Sequence, residues 1–149
     1  MTAFDIGARR AAEFEHRSFW AVFDERHPQE RALRARHGPW FWQRGLPHLE
    51  IVISMYVAPE QNLVGVFFGR NEKLGAIAVD ERLTPHRAAL EARLRLRPDQ
   101  RFDGPGLGAV WRVNCFAEDN WPAMADWLVT EASRFERAVT EVLGRGEQD

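Results

Sequence analysis

Between Trp121 and Val142 the side chains Trp121, Met124, Leu128, Ala132, Phe135, Val139 and Val142 recur at steps of three and four. That spacing lines them along one stripe of an α-helix whose remaining face is acidic, and Gly144 follows the last apolar pair. Asp119 or Asn120 is placed to cap it. Such a helix must bury its stripe, so the rest of the chain has to supply an apolar surface for it.

Two segments with a period of two can build that surface. Leu49, Ile51, Ile53, Met55 and Val57 alternate with Glu50, Val52, Ser54 and Tyr56, which predicts a strand with its odd positions inward. The turn residues at 58–62 then lead into LVGVFFGR, the second arm of a hairpin. A further strand is expected where Ala109, Trp111, Val113, Cys115 and Ala117 share a face, after a glycine-rich loop at 103–108. The even positions Tyr56, Arg112, Asn114 and Phe116 are too apolar in part for a bare face, so the first helix or a second copy of the chain is expected to cover them.

Residues 5 to about 25 read as a helix, with Phe19 and Phe23 four apart and Ala12 and Trp20 extending the set. A central helical region runs from the Asn71 cap, through Leu74, Ile77 and Ala78, to the residues before Pro98. Thr84-Pro85 should break it in two, with Ala89, Leu90 and Leu94 inward in the second piece. Between Pro28 and Pro47 lies an irregular stretch that allows a helical turn at 30–36 and a short strand at 40–44.

With 149 residues and no internal linker, these elements make one domain, 1–149. The expected class is α+β: an antiparallel sheet of about four strands packed with the C-terminal amphipathic helix and the broken central helix. The N-terminal helix lies at the edge or on the opposite face. Trp111, Cys115, Ile51, Ile53, Val66, Leu128 and Phe135 should be buried together.

A net charge of -2 supplies no global field for a polyanion, and nineteen of the twenty cationic residues are arginine, as a GC-rich genome would produce. The charge is uneven, however. Residues 26–101 carry thirteen basic against eight acidic side chains and residues 102–149 four against nine, a dipole suited to self-association or partner docking. The single cysteine, the acidic residues near the start and the lack of a long apolar run lead us to expect a cytoplasmic protein without a membrane partner.

Several landmarks occur in a recognisable order: Arg17-Ser18-Phe19-Trp20, a Trp-containing segment before the hairpin, Val64-Gly65-Val66, Glu118-Asp119-Asn120-Trp121, Ala125-Asp126-Trp127-Leu128 and Phe135. Over nearly its whole length the chain resembles the prokaryotic family known as domain of unknown function 4268. The shared positions are aromatic and packing residues rather than catalytic ones. Members of that family stand alone or follow nuclease-like domains, so the resemblance implies an accessory place in DNA metabolism or defence. The Thr84-Pro85 break departs from the family's usually uninterrupted helical region.

No catalytic constellation emerges. A restriction-type nuclease needs an acidic-x-Lys pair on a strand, but the only lysine, Lys73, has Asn71 two residues before it and sits at a helix start. Histidines 16, 27, 37, 48 and 86 lack metal-ligand spacing, so no metal or other cofactor is expected. Cys115 shares an apolar face, and Glu118-Asp119 sits where helix capping explains it. The glycines at 104–108 precede a strand, whereas a phosphate loop would open into a helix.

Three functional readings remain. The first is a non-catalytic binding or interaction module with a protein partner or a second copy. The second is nucleic-acid binding through Arg36, Trp40, Trp42 and Arg44, where guanidinium groups flank rings able to stack on bases. The third is a small-molecule enzyme assembled from distant residues such as His48, Tyr56 and Arg112.

Overall fold

A computed structural model of the chain describes residues 14–46, 48–70, 81–95 and 107–146. The helix start predicted at 5–13, the Asn71 cap with Leu74, Ile77 and Ala78, and most of the 103–108 loop lie outside them. Helix α1 spans His16–Arg26 and a single turn, α2, spans Glu30–Leu33. Five strands follow: β1 (Arg34–His37), β2 (Phe41–Leu46), β3 (Ile51–Ala58), β4 (Leu63–Arg70) and β5 (Gly108–Arg112). Between β4 and β5, Thr84–His86 form a tight helical turn at the predicted break, followed by helix α3 (Arg87–Leu94). The last described element is α4, Trp121–Gly146.

The sheet is antiparallel, in the chain order β1-β2-β3-β4-β5. The α+β architecture is the expected one, with five strands instead of about four. The additional strand is β1, which was read as part of a helical turn. Four residues are too few for a stable helix, so the chain extends at Arg34 (φ -70°, ψ 123°) and pairs with β2, gaining ladder hydrogen bonds. All four β1 side chains are exposed, and Arg34 and Arg36 with the irregularity between them blunt this edge against further pairing.

β3 and β4 form the hairpin, in register from Ile51↔Arg70 to Ala58↔Leu63. Asn62 closes its turn at φ 52°, a conformation asparagine tolerates. The same residue accepts hydrogen bonds from the exit of β5, its carbonyl from Val113 N at 2.9 Å and its Oδ1 from Cys115 N at 3.3 Å.

One face of the sheet carries Trp42, Met55, Val66 and Ala109 in one row and Arg44, Ile53 and Phe68 in the next. Against it α4 lays its stripe, with Phe135 5.1 Å from Phe68 and Trp127 6.1 Å from Trp111 between ring centroids. The predicted set of Trp111, Cys115, Ile51, Ile53, Val66, Leu128 and Phe135 meets in this core, Trp111 at its rim. Helix α1 lies on the same face over the β1–β2 edge, where Phe23 and Trp20 meet Trp42.

On the opposite face α1 is not the cover that was expected; Val52, Ser54 and Ala58 of β3 are buried, whereas Arg112 and Asn114 are exposed. Tyr56 itself supplies cover: its ring lies over Gly65, where any Cβ would collide with it, and packs on Ala58, Leu63 and Val110. Beyond β5, Phe116 turns back to the main core, edge-on to Phe14 at 5.9 Å.

Asp126 of α4 ties α1 down, accepting from Arg26 Nη2 at 2.6 Å and lying 2.8 Å from His27 Nε2. The Arg26 hydrogen bonds hold its carboxyl below the ordinary range. The pair therefore stabilises the fold above the usual aspartate pKa of about 3.9, and that contribution disappears as the pH falls through the depressed value. Asp126→Asn should lower the thermal midpoint slightly near neutral pH, since both partners are 44% exposed, and not at all in acid. Thermal melts across pH check this; an equal loss in acid would assign the effect to packing instead.

Candidate functional site

The β1–β2 hairpin decides where the arginine- and tryptophan-rich segment points. Cα pairing of His37 with Trp42 and Arg34 with Arg44 sends Trp42, Arg44 and Leu46 inward and leaves Phe41, Gln43 and Gly45 half-buried on the other side. The four residues expected to bind nucleic acid are thereby split. Arg36 is exposed, its guanidinium 5.9 Å from the Phe41 ring, and Trp40 is 38% exposed, whereas Trp42 and Arg44 are 4% and 2% exposed.

Arg44 is occupied within the protein. Its Nη2 and Nε donate to the two carboxylate oxygens of Glu30, the latter at 3.2 Å, and Glu30 is itself 1% exposed. Nη1 donates to Ser133 Oγ at 3.3 Å and lies 3.7 Å from Glu136 Oε2. A guanidinium so enclosed fastens α2 and β2 to α4 and has no face left for a phosphate.

Trp42 presents a different situation. Its ring is packed by Trp20 (6.1 Å, interplanar 26°), Phe23 (5.1 Å) and His37 (5.9 Å), with the Arg34 guanidinium 4.9 Å from the centroid. The Trp20 indole donates to Pro39 O at 2.9 Å, but the buried Nε1 of Trp42 has no acceptor among the described residues. A buried donor left unpaired costs roughly 1–3 kcal/mol. Trp42 is also a wall of a cleft of about 450 Å³ between α1 and the hairpin, whose other walls include His16, Arg17, Trp20, Asp24, Arg34 and His37.

The charge in this cleft is positive in effect. Asp24 is gripped by Arg31 through both carboxylate oxygens, and those hydrogen bonds hold its pKa below the ordinary range, with Arg34 adding a smaller pull. Arg17 and Arg34 have no ion pair among the described residues.

Two larger depressions lack this combination. A groove of about 740 Å³ between α3 and α4 is rich in arginine, but there Arg93 pairs with Glu141 and Arg134 with Glu131. A groove of about 620 Å³ on the outer sheet face holds Tyr56, Phe41 and Trp40. The enzyme trio does not converge. Tyr56 lies near the end of β3 that adjoins Arg112, while the exposed His48 precedes the start of that strand. Among the described residues no three histidine, cysteine or acidic side chains gather as metal ligands, and no helix is long and apolar enough to cross a membrane.

The local pattern marks the segment but not its partners: Trp20 extends the apolar set of the first helix, and His16 and His37 are two of five scattered histidines. Their convergence depends on contacts such as Trp20 with Trp42, 22 positions apart, for which no local pattern exists. Comparison with protein families, curated proteins and solved structures finds no match for this chain.

Proposed function

We propose that the chain is a non-catalytic binding module whose ligand seat is the cleft between α1 and the β1–β2 hairpin. One observation carries this reading: the buried Trp42 Nε1–H, without an acceptor among the described residues, at the wall of an aromatic cleft. An incoming acceptor would satisfy that donor, and mostly apolar walls with a few convergent polar groups are what small-molecule sites use. The accessory place in DNA metabolism or defence implied by the resemblance belongs to the same proposal. So does a reducing cytoplasmic setting, with which a single buried cysteine accords.

The test is a ligand-observed NMR fragment screen against the wild type, Trp42→Phe and Trp111→Phe. Hits should bind the wild type and Trp111→Phe and weaken about tenfold with Trp42→Phe, which removes the donor but keeps an aromatic ring. Hits indifferent to Trp42, or no hits at all, would overturn the reading.

A further inference from the structure

We infer that this cleft takes a nucleotide unit, a planar base with an attached phosphate, presented either as a free nucleotide or within a single strand. The inference rests on the cleft being a ligand seat and specifies what sits there.

Three features narrow the chemistry. The half-buried Trp20 indole lies 26° from parallel with the buried Trp42 indole, and the exposed His37 ring stands beside them, so the cleft offers aromatic surface from Trp20 and His37 suited to a planar group. Trp42 Nε1 calls for an acceptor, which base carbonyls and ring nitrogens provide and a plain hydrocarbon ring does not. Arg17 from α1 and Arg34 from β1 bring two cations to the cleft, while Asp24, the only carboxylate lining it among the described residues, is neutralised through both oxygens by Arg31. An anion therefore meets donors without facing an exposed carboxylate. Inorganic phosphate alone would leave the indoles unused, and a neutral ring would leave the arginines unused.

Both sources share this chemistry. A free nucleotide needs only the cleft. A strand would continue past the hairpin turn, where Trp40 is exposed and packs on His16 at 5.5 Å, with Arg36 on the adjoining strand. Stacking on exposed rings and guanidinium contacts with phosphate are how single strands are held without sequence preference.

The experiment is calorimetric titration of the full chain with adenosine 5′-monophosphate, adenosine, inorganic phosphate and a short oligo-dT. The monophosphate should bind at least about tenfold tighter than adenosine, the strength of a charge-assisted hydrogen bond, and inorganic phosphate should bind more weakly still. Arg34→Gln is an exposed change that leaves the core intact. It should remove most of the advantage of the monophosphate over adenosine, and Trp42→Phe should weaken both.

Oligo-dT bound about tenfold tighter than the monophosphate, with affinity falling as salt rises, identifies a strand as the source; the reverse order identifies a free nucleotide. Equal affinity for adenosine and its monophosphate would overturn the nucleotide class while keeping the cleft as a seat. So would silence from all four probes while neutral fragments still compete at Trp42. Binding that survives Trp42→Phe unchanged would overturn the seat itself.

Discussion

Glu30→Ala should cost about 3–5 kcal/mol, because it leaves the Arg44 guanidinium buried without its principal carboxylate. Against a total stability of roughly 5–15 kcal/mol, that is enough to leave much of the protein unfolded near body temperature. Ser133 Oγ at 3.3 Å and Glu136 at 3.7 Å remain near Nη1, but a neutral hydroxyl and a half-buried carboxylate at the edge do not replace a bidentate partner.

Arg44→Met alone should be similarly damaging, since it strands Glu30. The double variant Glu30→Leu, Arg44→Met removes both charges and should recover to near the wild type or above it, as apolar replacements of buried pairs do. Urea unfolding of the two single variants and the double measures the coupling. If either single variant lost less than about 1 kcal/mol, the pair would be behaving as a solvated one and the enclosure described above would be wrong.

Trp121→Ala should have an effect of the same order, about 3–5 kcal/mol, for a different reason. Trp121 opens α4 and is buried where that helix meets the loop after β5. Its ring is edge-on to Phe14 at 5.7 Å and to Phe19 at 5.9 Å, and its indole nitrogen donates to Cys115 O at 2.8 Å. Alanine removes the aromatic contacts and the hydrogen bond to that carbonyl, whereas Trp121→Phe retains most of the apolar area. The phenylalanine variant should lose roughly 1–3 kcal/mol, the cost of the unmade hydrogen bond. Chemical denaturation of both variants separates the two contributions. Equal losses would mean that the hydrogen bond, and not the packing, anchors α4.

The legible parts of this fold are those in which a residue's environment follows from its near neighbours. Steps of three and four placed Trp121 to Val142 on one stripe, and the register of β3 with β4 follows from the alternation and turn chemistry at 58–62. The break at Thr84-Pro85 is a property of proline and was readable for the same reason. β1 was misread because 30–36 has weak local preference and its state is decided by β2, which pairs with it. Before α4, Asn120 donates through Nδ2 to Asn114 O at 3.1 Å, a tie to the preceding loop that no local pattern announces.

The candidate site divides along the same line. From the sequence alone, the arginine- and tryptophan-flanked stretch at 31–44 was already the place to look, because no other segment mixed those side chains outside a clear helix or strand. What each side chain does there was decided by tertiary structure. Arg44 is a candidate phosphate binder until Glu30 and, 89 positions on, Ser133 close around it, and Trp42 could be a core plug or a surface ring until α1 lays Trp20 and Phe23 against it. Hydrophobic period and turn chemistry are local and survive in one dimension. The burial of a charge and the stranding of an indole N–H depend on which distant elements arrive, so they exist only once the sheet and its helices have packed.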